Sequence, residues 1–257
     1  MEIKRITSAQ NSFIKDMQAA TRSKGPYAQL LRLEGRELLD ELWLAKREAE
    51  VLVLSDRAYS DSVSAEDLQR SRSVVIVPDS LFARLSATSS PTGILALAGY
   101  PWDEKPTQAQ LQTQRALWLD RVQDPGNVGT LIRSAAAFGL DAVYLGPGTA
   151  SPLNEKVIRA TMGALLRIPV YRLTTDALLE PSATQPTLLV TALHGENVAS
   201  FRWPEQWTLV IGNEGQGVSP ELIERATHKL TIPMPGETES LNAAIAGSIF
   251  LYLSSQG

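Results

Sequence analysis

Apolar positions in the first hundred residues fall into short runs and into stripes at helical spacing. The runs predict strands at 30–33, 51–54, 74–77 and 94–98. The stripes predict a helix over 5–24, capped by Ser8 or Asn11, and a second helix that follows Arg36. Two shorter helices are predicted at 67–70 and 79–85. Strands that alternate with helices along a chain indicate an α/β layer architecture.

The alternation resumes after a polar segment at 101–113, which contains two prolines and lacks apolar periodicity. We predict that this segment links an N-terminal domain at 1–100 to a C-terminal domain at 114–257. Beyond it, strands are predicted at 116–119, 142–145, 170–173, 188–192, 208–211 and 230–232. Helices are predicted at 130–138 and 154–164, from 176, at 220–226 and at 240–253. Because these strands are almost wholly apolar, they indicate a parallel sheet covered by helices on both faces.

The composition excludes several kinds of site. The chain of 257 residues contains no cysteine, which excludes disulfides, thiolate zinc sites and cysteine nucleophiles. Its two histidines cannot form a histidine-rich metal site, and we expect no metal. The first residues lack the apolar run of a signal peptide, and no apolar stretch is long enough to cross a bilayer. These features predict a cytoplasmic protein with no membrane partner.

The net charge of the chain and the local charge of its first residues point to opposite conclusions about nucleic-acid binding. The net charge of −4 at pH 7 argues mildly against a polyanionic partner, because phosphate binding favours basic surfaces. Residues 1–36, however, contain seven basic and three acidic residues. This local excess is compatible with RNA binding and equally with an ordinary solvated face, so both interpretations stay open at this point.

The segment from Asp120 to Arg133 predicts a strand end, a turn rich in Gly, Pro and Asn, and the start of a helix. Ligands of open α/β sheets bind at the carboxyl ends of strands, and the turn would place Asn127 at such a crevice. If the helix begins near Val128, Arg133 lies about one and a half turns into it. An arginine there can bind a phosphate through two parallel hydrogen bonds. The alternative is a tight turn followed by a solvated arginine.

Two further segments combine strand ends with glycine or proline loops. In the first, at 209–217, a buried strand precedes three glycines within six residues, and glycine allows the backbone to approach a ligand closely. Its spacing matches neither a dinucleotide fingerprint nor a P-loop, and a glycine-rich surface turn is the alternative. In the second, a Pro/Gly loop after Ile232 leads to Ser240, a residue suited to cap the final helix. Taken singly, neither Ser240 nor Asn242 is informative.

Together the three segments closely resemble the SpoU-type family of RNA 2′-O-ribose methyltransferases, within the SPOUT superfamily. The family's Asn-x-Gly motif with its following arginine resembles 127–129 and Arg133, and Gly-Asn-Glu-x-x-Gly resembles 212–217. Ile-Pro-Met, followed by Glu-Ser-Leu-Asn, resembles 232–234 and 239–242. The segments 146–148 and 151–163 also resemble the middle of the family's domain. The resemblance covers about 113–257.

The resemblance implies a fold and a cofactor. It implies a C-terminal α/β domain with a parallel sheet and a trefoil-knotted site for S-adenosylmethionine, although true knots are rare among folds. The cofactor-binding residues that it implies are Thr191, Ala192, Leu193, Gly212, Asn213, Gly217, Ile232, Met234 and Leu241. The smaller N-terminal part is similar, at 6–15 and 33–36, to the family's substrate-binding domain. That domain is an α/β module like the ribosomal proteins that bind RNA kink-turns.

The resemblance also implies a reaction, in which a methyl group passes from S-adenosylmethionine to a ribose 2′-hydroxyl of rRNA or tRNA. The implied enzyme is a homodimer whose site is completed by a second subunit. Arg133 would bind the phosphate of the target nucleotide and help to activate its hydroxyl. Asn127, Ser240 and Asn242 would orient the ribose. Glu214 would order the site.

Two other functions stay open on the sequence. An RNA-binding protein could keep this fold without catalysis, although the intact motif residues argue against it. A nucleotide-dependent α/β enzyme could use the glycine loops for phosphate, although the phosphate-binding fingerprints are absent. Binding of S-adenosylmethionine distinguishes the enzyme from the first alternative, and binding of ATP or NAD would support the second.

Overall fold

The computed structural model describes residues 2–21, 24–102, 106–107, 110–111, 114–180, 186–236 and 240–256. The chain divides into two compact units, 1–101 and 102–257. Much of the segment predicted to be a linker lies outside the described residues, but Trp102 is anchored within the second unit. Its indole Nε1 donates to the carbonyl oxygen of Leu165 at 2.9 Å, and its ring packs edge-on against Tyr171.

The first unit is built on a five-stranded mixed sheet in the order β1-β4-β3-β5-β2. Its strands are β1 Glu2–Arg5, β2 Leu30–Glu34, β3 Ala49–Ser55, β4 Ser71–Val77 and β5 Ile94–Gly99. Strands β1, β4 and β3 are parallel, and β5 is antiparallel to both β3 and β2. The four predicted strands are confirmed, whereas β1 was missed because this edge strand is polar and exposed along its length.

The helices of the first unit are α1 Ser12–Ala20, α2 Arg36–Leu44, α3 Asp56–Asp61, α4 Ala65–Gln69 and α5 Asp79–Phe82. The prediction of one helix over 5–24 was wrong, because its first residues belong to strand β1 and its loop. Asn11 caps α1 by accepting from the Phe13 backbone N–H at 2.9 Å. Helix α3 was missed because it buries only Ala58 and so shows no apolar stripe.

Several basic residues of the segment 1–36 are engaged within the first unit. Arg5 pairs with Asp56 at 2.6 Å, and Arg36 pairs with the buried Asp67 at 2.8 Å. Arg32 is itself buried and donates to two backbone carbonyl groups. These three of the seven basic residues are therefore held by contacts within the unit.

The C-terminus of helix α2 is strained at Lys46, whose φ is +55°. Lys46 and Arg47 donate backbone hydrogen bonds to the carbonyl groups of Trp43 and Leu42, which is the Schellman pattern that glycine favours. We predict that Lys46→Gly raises the free energy of unfolding by about 0.5–1 kcal/mol, because relief of the left-handed strain exceeds the entropic cost of glycine. Urea denaturation measures it, and Lys46→Ala, which keeps the β-carbon, should show no gain. An equal effect of both variants would contradict the strain argument.

The second unit contains a six-stranded sheet in the order β11-β9-β10-β6-β7-β8. Its strands are β6 Arg115–Leu119, β7 Ala142–Leu145, β8 Val170–Arg172, β9 Thr187–Asn197, β10 Trp207–Ile211 and β11 His228–Thr231. Every neighbouring pair is parallel, as predicted. Strand β9 runs five residues beyond its predicted end, and its pairing with β11 jumps from Val190 to Glu196. Residues 191–195 thus leave the ladder at the carboxyl side of the sheet.

The helices of this unit are α6 Pro125–Ala137, α7 Glu155–Thr161, α8 Thr175–Leu179, α9 Pro220–Arg225 and α10 Ala243–Ser254. Helix α6 begins five residues earlier than predicted, because Asp124 caps it and Pro125 fits its first position. The prediction that Ser240 caps the final helix was also wrong. Asn242 is the N-cap of α10, and its side chain accepts from the backbone N–H groups of Ala244 and Ile245.

Helices α6 and α10 pack closely against each other. A β-carbon at Gly247 would lie 2.3 Å from Cδ2 of Leu131, so a larger residue here would force the Leu131 side chain to shift. The hydroxyls of Ser134 and Ser248 share a hydrogen bond of 2.8 Å between the same helices. This contact fixes the start of α10 relative to α6, and both helices contribute to the site described next.

Candidate active site

A cavity of about 580 Å³ opens where residues 191–193, the 212–217 loop, the segment after β11 and the start of α10 meet. All nine residues predicted to bind the cofactor line this cavity: Thr191, Ala192, Leu193, Gly212, Asn213, Gly217, Ile232, Met234 and Leu241. Of the five predicted catalytic residues, Glu214, Ser240 and Asn242 line it as well, whereas Asn127 and Arg133 do not. Glu239, a member of the third motif, lies outside the described residues.

The sequence motifs missed part of the wall that helix α10 contributes. Ala243, Ala246 and Phe250 all line the cavity. Their spacing of three and four residues places them on one helical face. That signal was present in the sequence, but residues of this kind usually form the core and therefore do not stand out.

The 212–217 loop is a closed turn. Asn213 and Gly217 exchange two backbone hydrogen bonds, of 3.0 and 2.9 Å. The side-chain oxygen of Asn213 accepts from the backbone N–H groups of Gly215 and Gln216, each at 3.0 Å. A β-carbon at Gly212 would lie 2.3 Å from the backbone of Gly217 and Val218. Glycine at 212 thus lets the turn fold back onto its own strand.

A chain of three side chains connects the motifs. Asn242 donates from Nδ2 to Oδ1 of Asn127 at 3.0 Å, and Asn127 donates from Nδ2 to Oε1 of Glu214 at 2.9 Å. The direction of the chain is fixed at both ends, because the carboxylate only accepts and the Asn242 oxygen accepts from the α10 backbone. Asn127 is buried in helix α6. Its side chain links the first motif to Glu214 of the second and to Asn242 of the third. The structure therefore places Asn127 in the first turn of α6, not in the preceding turn as predicted.

Glu214 sits at the N-terminus of helix α6. Burial raises the pKa of its carboxyl group, but hydrogen bonds from the Asn127 side chain and from backbone N–H groups, including those of Asp124 and Gln123, outweigh this effect. The pKa of Glu214 therefore lies below its ordinary value, and the carboxylate is ionised at neutral pH. A negative charge at this helix end is also favoured by the helix dipole.

Arg133 lies on the exposed face of α6, together with Thr130 and Ala137. Because α6 begins at Pro125, Arg133 lies about two turns into the helix, further than predicted. Within the described residues it makes no hydrogen bond or ion pair, and it does not line the cavity of its own chain. Its guanidinium group is therefore available to a group that approaches from outside the chain.

The chain matches the sequence profile described as the SpoU rRNA Methylase family over residues 114–252. It belongs to this family. The SpoU methylase chain is 32% identical over 253 residues to the 23S rRNA (guanosine(2553)-2′-O)-methyltransferase RlmP of Bacillus subtilis, a match that covers 97% of this chain and 98% of that protein.

Solved structures of other methyltransferases are similar to this SpoU methylase over nearly the whole chain. An rRNA methyltransferase from Sinorhizobium meliloti with bound AdoMet has a TM-score of 0.87 and 27% identity, covering 99% of this chain and 98% of that chain. An RNA methyltransferase of the TrmH family from Porphyromonas gingivalis has a TM-score of 0.78 and 32% identity, covering 93% of this chain and 96% of its own. The α/β fold with a parallel sheet is thus shared with SpoU methyltransferases of known structure.

The cavity of this SpoU methylase fits S-adenosylmethionine in size and chemistry. Its volume lies within the range of about 300–1,000 Å³ that is typical of small-molecule sites. Leu193, Met234 and Phe250 provide apolar surface suited to an adenine ring. The polar backbone of the 212–217 loop, with Thr191, provides hydrogen-bonding groups suited to ribose and amino-acid moieties.

No cluster of three or more His, Asp and Glu side chains suited to a metal ion occurs among the described residues. The same residues include no helix whose length and hydropathy would let it span a membrane.

Proposed function

We propose that this SpoU methylase transfers a methyl group from S-adenosylmethionine to a ribose 2′-hydroxyl of a structured RNA. The observation that carries the proposal is the meeting of the second and third motif segments at one cavity, to which the first segment is joined by the Asn242–Asn127–Glu214 chain. An RNA-binding protein without catalysis would not need to keep this partly buried crosslink. The absence of phosphate-binding fingerprints disfavours the nucleotide-dependent enzyme.

S-adenosylmethionine is the methyl donor, and its sulfonium group supplies an activated methyl for attack by an oxygen nucleophile. The residues predicted to bind the cofactor hold it through backbone groups of the 212–217 loop and through the segments around 191–193 and 232–241. Asn127 and Asn242 use their amides to hold each other and Glu214, which favours a positioning role for both. Ser240 is exposed at the cavity and makes no side-chain hydrogen bond within the described part of the chain, so its hydroxyl is suited to orient the ribose.

We propose further that the enzyme acts as a homodimer in which Arg133 serves the partner's cavity. Arg133 faces away from its own cavity but lies on α6, which packs against α10. Helix α10 exposes an apolar face, with Ile245 55% and Tyr252 51% exposed, and Phe138 of the α6 C-cap packs edge-on against Tyr252. Exposed apolar surface of this kind is typical of an interface, and a second copy seated there would bring its own Arg133 close to the first site.

Ile245→Glu should therefore convert the dimer into a monomer, because it buries a charge in the proposed interface. Light scattering coupled to size exclusion, at micromolar concentration, measures the mass. Leu44→Glu is the matched control, since Leu44 is also an exposed aliphatic residue, 73% exposed, but lies in the first unit. The control should remain a dimer. A wild-type protein that is already monomeric at this concentration would contradict the proposal.

The finer features of the architecture are proposals as well. We propose that the 191–195 segment and the loops after β10 and β11 form the trefoil knot of the SPOUT fold, which their convergence at one cavity supports. Residues 1–100 would be an RNA-binding domain like the ribosomal proteins that bind kink-turns, residues 101–113 a linker and 114–257 the methyltransferase domain. A cytoplasmic location is proposed as well, which the match to the rRNA methyltransferase RlmP supports.

Ribosomal RNA is the substrate class to test first, because the relative named RlmP matches over nearly the full length of both chains. The protein is incubated with labelled S-adenosylmethionine and with deproteinised rRNA, ribosomal subunits or tRNA, and 2′-O-methyl sites are then mapped. We expect incorporation at one rRNA nucleotide. Incorporation into tRNA alone would correct the substrate class, and incorporation into base atoms or none at all would overturn the reaction.

A further inference from the structure

Arg121 has a backbone conformation that its residue type disfavours. Its φ is +58°, in the left-handed region that glycine and asparagine occupy at lower cost. Asp120, the preceding residue, is buried and fixed by accepting from the Ser219 backbone N–H at 2.7 Å. The backbone alone would favour a smaller residue at this position. The arginine side chain makes contacts that a smaller residue could not make.

The guanidinium group of Arg121 forms hydrogen bonds to the end of the 212–217 loop, outside the cavity. Its Nη1 donates to Oε1 of Gln216 at 2.9 Å, and its Nη2 donates to the carbonyl oxygen of Gly217 at 3.3 Å. In return, Nδ2 of Asn213 donates to the carbonyl oxygen of Arg121 at 2.9 Å. Arg121 itself does not line the cavity, so these bonds hold the wall of the cavity from outside.

This contact is separate from the chain that ends at Glu214. Glu214 extends from the loop towards helix α6 and receives hydrogen bonds there, whereas Arg121 extends from the β6–α6 turn into residues 216 and 217. Hydrogen bonds therefore hold the loop at Glu214, in its middle, and at residues 216 and 217, at its end. Since Gly217 has a φ of +69° and Gly215 is exposed, the loop would gain conformational freedom without the second set of hydrogen bonds.

We propose that Arg121 is a positioning residue that sets the affinity for S-adenosylmethionine by holding the 213–217 loop in its binding conformation. The proposal rests on the proposed function, since it assigns this cavity to the cofactor. The guanidinium group is required, because its two terminal nitrogens donate at the same time to the side-chain oxygen of Gln216 and to the backbone oxygen of Gly217. A lysine would retain the charge but not this bidentate geometry.

The test compares Arg121→Gly, Arg121→Asn and Arg121→Lys with wild type by isothermal titration with S-adenosylmethionine, by thermal unfolding without cofactor and by steady-state kinetics. We expect Kd and KM for the cofactor to rise about tenfold in all three, as loss of hydrogen bonds from a charged donor implies. The thermal midpoint of the Gly and Asn variants should not fall, because backbone strain is relieved, and kcat at saturating cofactor should stay unchanged. A stability defect would instead lower the midpoint and the affinity together.

Lys46→Gly is the matched control, because it relieves the same left-handed strain in the first unit and should leave Kd unchanged. Three results would overturn the proposal: Arg121→Gly binding within twofold of wild type, full affinity in Arg121→Lys, or a fall in kcat with Kd unaltered. The last result would place Arg121 against the RNA. If wild type itself bound no S-adenosylmethionine, the proposed function would fail before the role of Arg121 came into question.

Discussion

Arg133→Ala should lower methyl transfer to RNA by about 100- to 1,000-fold, the magnitude typical for loss of one group that stabilises developing charge. Arg133 is exposed and makes no hydrogen bond or ion pair within the described residues, so its removal should leave folding intact. Because it does not line the cavity of its own chain, the Kd for S-adenosylmethionine should stay within about twofold of wild type. Single-turnover transfer to RNA and calorimetry measure the two quantities separately.

The matched control is Arg202→Ala, which also removes an exposed arginine of the second unit and should leave turnover unchanged. Complementation then tests whether Arg133 acts on the partner's site. Gly212→Val should abolish cofactor binding, because any β-carbon there would collide with the backbone of Gly217 and Val218. Mixed with Arg133→Ala, it forms heterodimers that contain one intact cavity and one intact Arg133 facing it. Recovery of activity on mixing is expected, and no recovery would show that Arg133 acts within its own chain.

Asn127→Asp should weaken binding of S-adenosylmethionine by at least about tenfold at pH 8. The substitution keeps the shape of the side chain but replaces the donor that lies 2.9 Å from Oε1 of Glu214 with a second carboxylate oxygen. Two carboxylates at this distance repel each other and cannot both remain ionised without loss of the crosslink. The Glu214 loop and the start of α10 would then lose their common attachment.

The pH dependence of this variant has a definite sign. Repulsion raises the pKa of one of the two carboxyl groups, so that a shared proton restores the hydrogen bond, and affinity should recover as the pH falls from 8 towards 5. In wild type the pKa of Glu214 is lowered. The crosslink is thus complete above the ordinary glutamate range and weakens only as the pH falls below it. Calorimetry across this range should show a flat wild-type profile, and Asn127→Ala should show a weak, equally flat one. Parallel profiles for Asn127→Asp and wild type would contradict the argument.

The sequence predicted the parallel sheet of the second unit well because its strands β6, β7 and β10 are almost wholly buried and hence almost wholly apolar. Where burial gave no signal, the prediction failed, as at β1, an exposed edge strand, and at α3, a helix with one buried residue. The N-cap of α10 was misplaced because both Ser240 and Asn242 are good capping residues. In the structure Asn242 fills this role, because its side-chain oxygen accepts from the backbone N–H groups of Ala244 and Ile245.

The candidate site was predictable as a set of motifs but not as an arrangement. The resemblance to the SpoU-type family indicated the loop at 212–217 and the asparagines at 127 and 242, and the structure places these together. It did not indicate that Asn127 would face inward while Arg133, six residues later on the same helix, faces outward. That difference follows from the exact start of α6, which depends on Asp124 and Pro125. The sequence did not predict a role for Arg121, because a single arginine after a strand has no distinctive pattern.

The Asn242–Asn127–Glu214 chain has a consequence for how the enzyme is made. It joins residues separated by 115 and 87 positions in the sequence, and contacts of such long range form late in folding. During translation the ribosome would release β6, α6 and the glycine loop long before Asn242 emerges. A nascent chain would therefore lack this crosslink until Asn242 and the start of α10 have been made, so the cavity wall is joined only after that stage of synthesis.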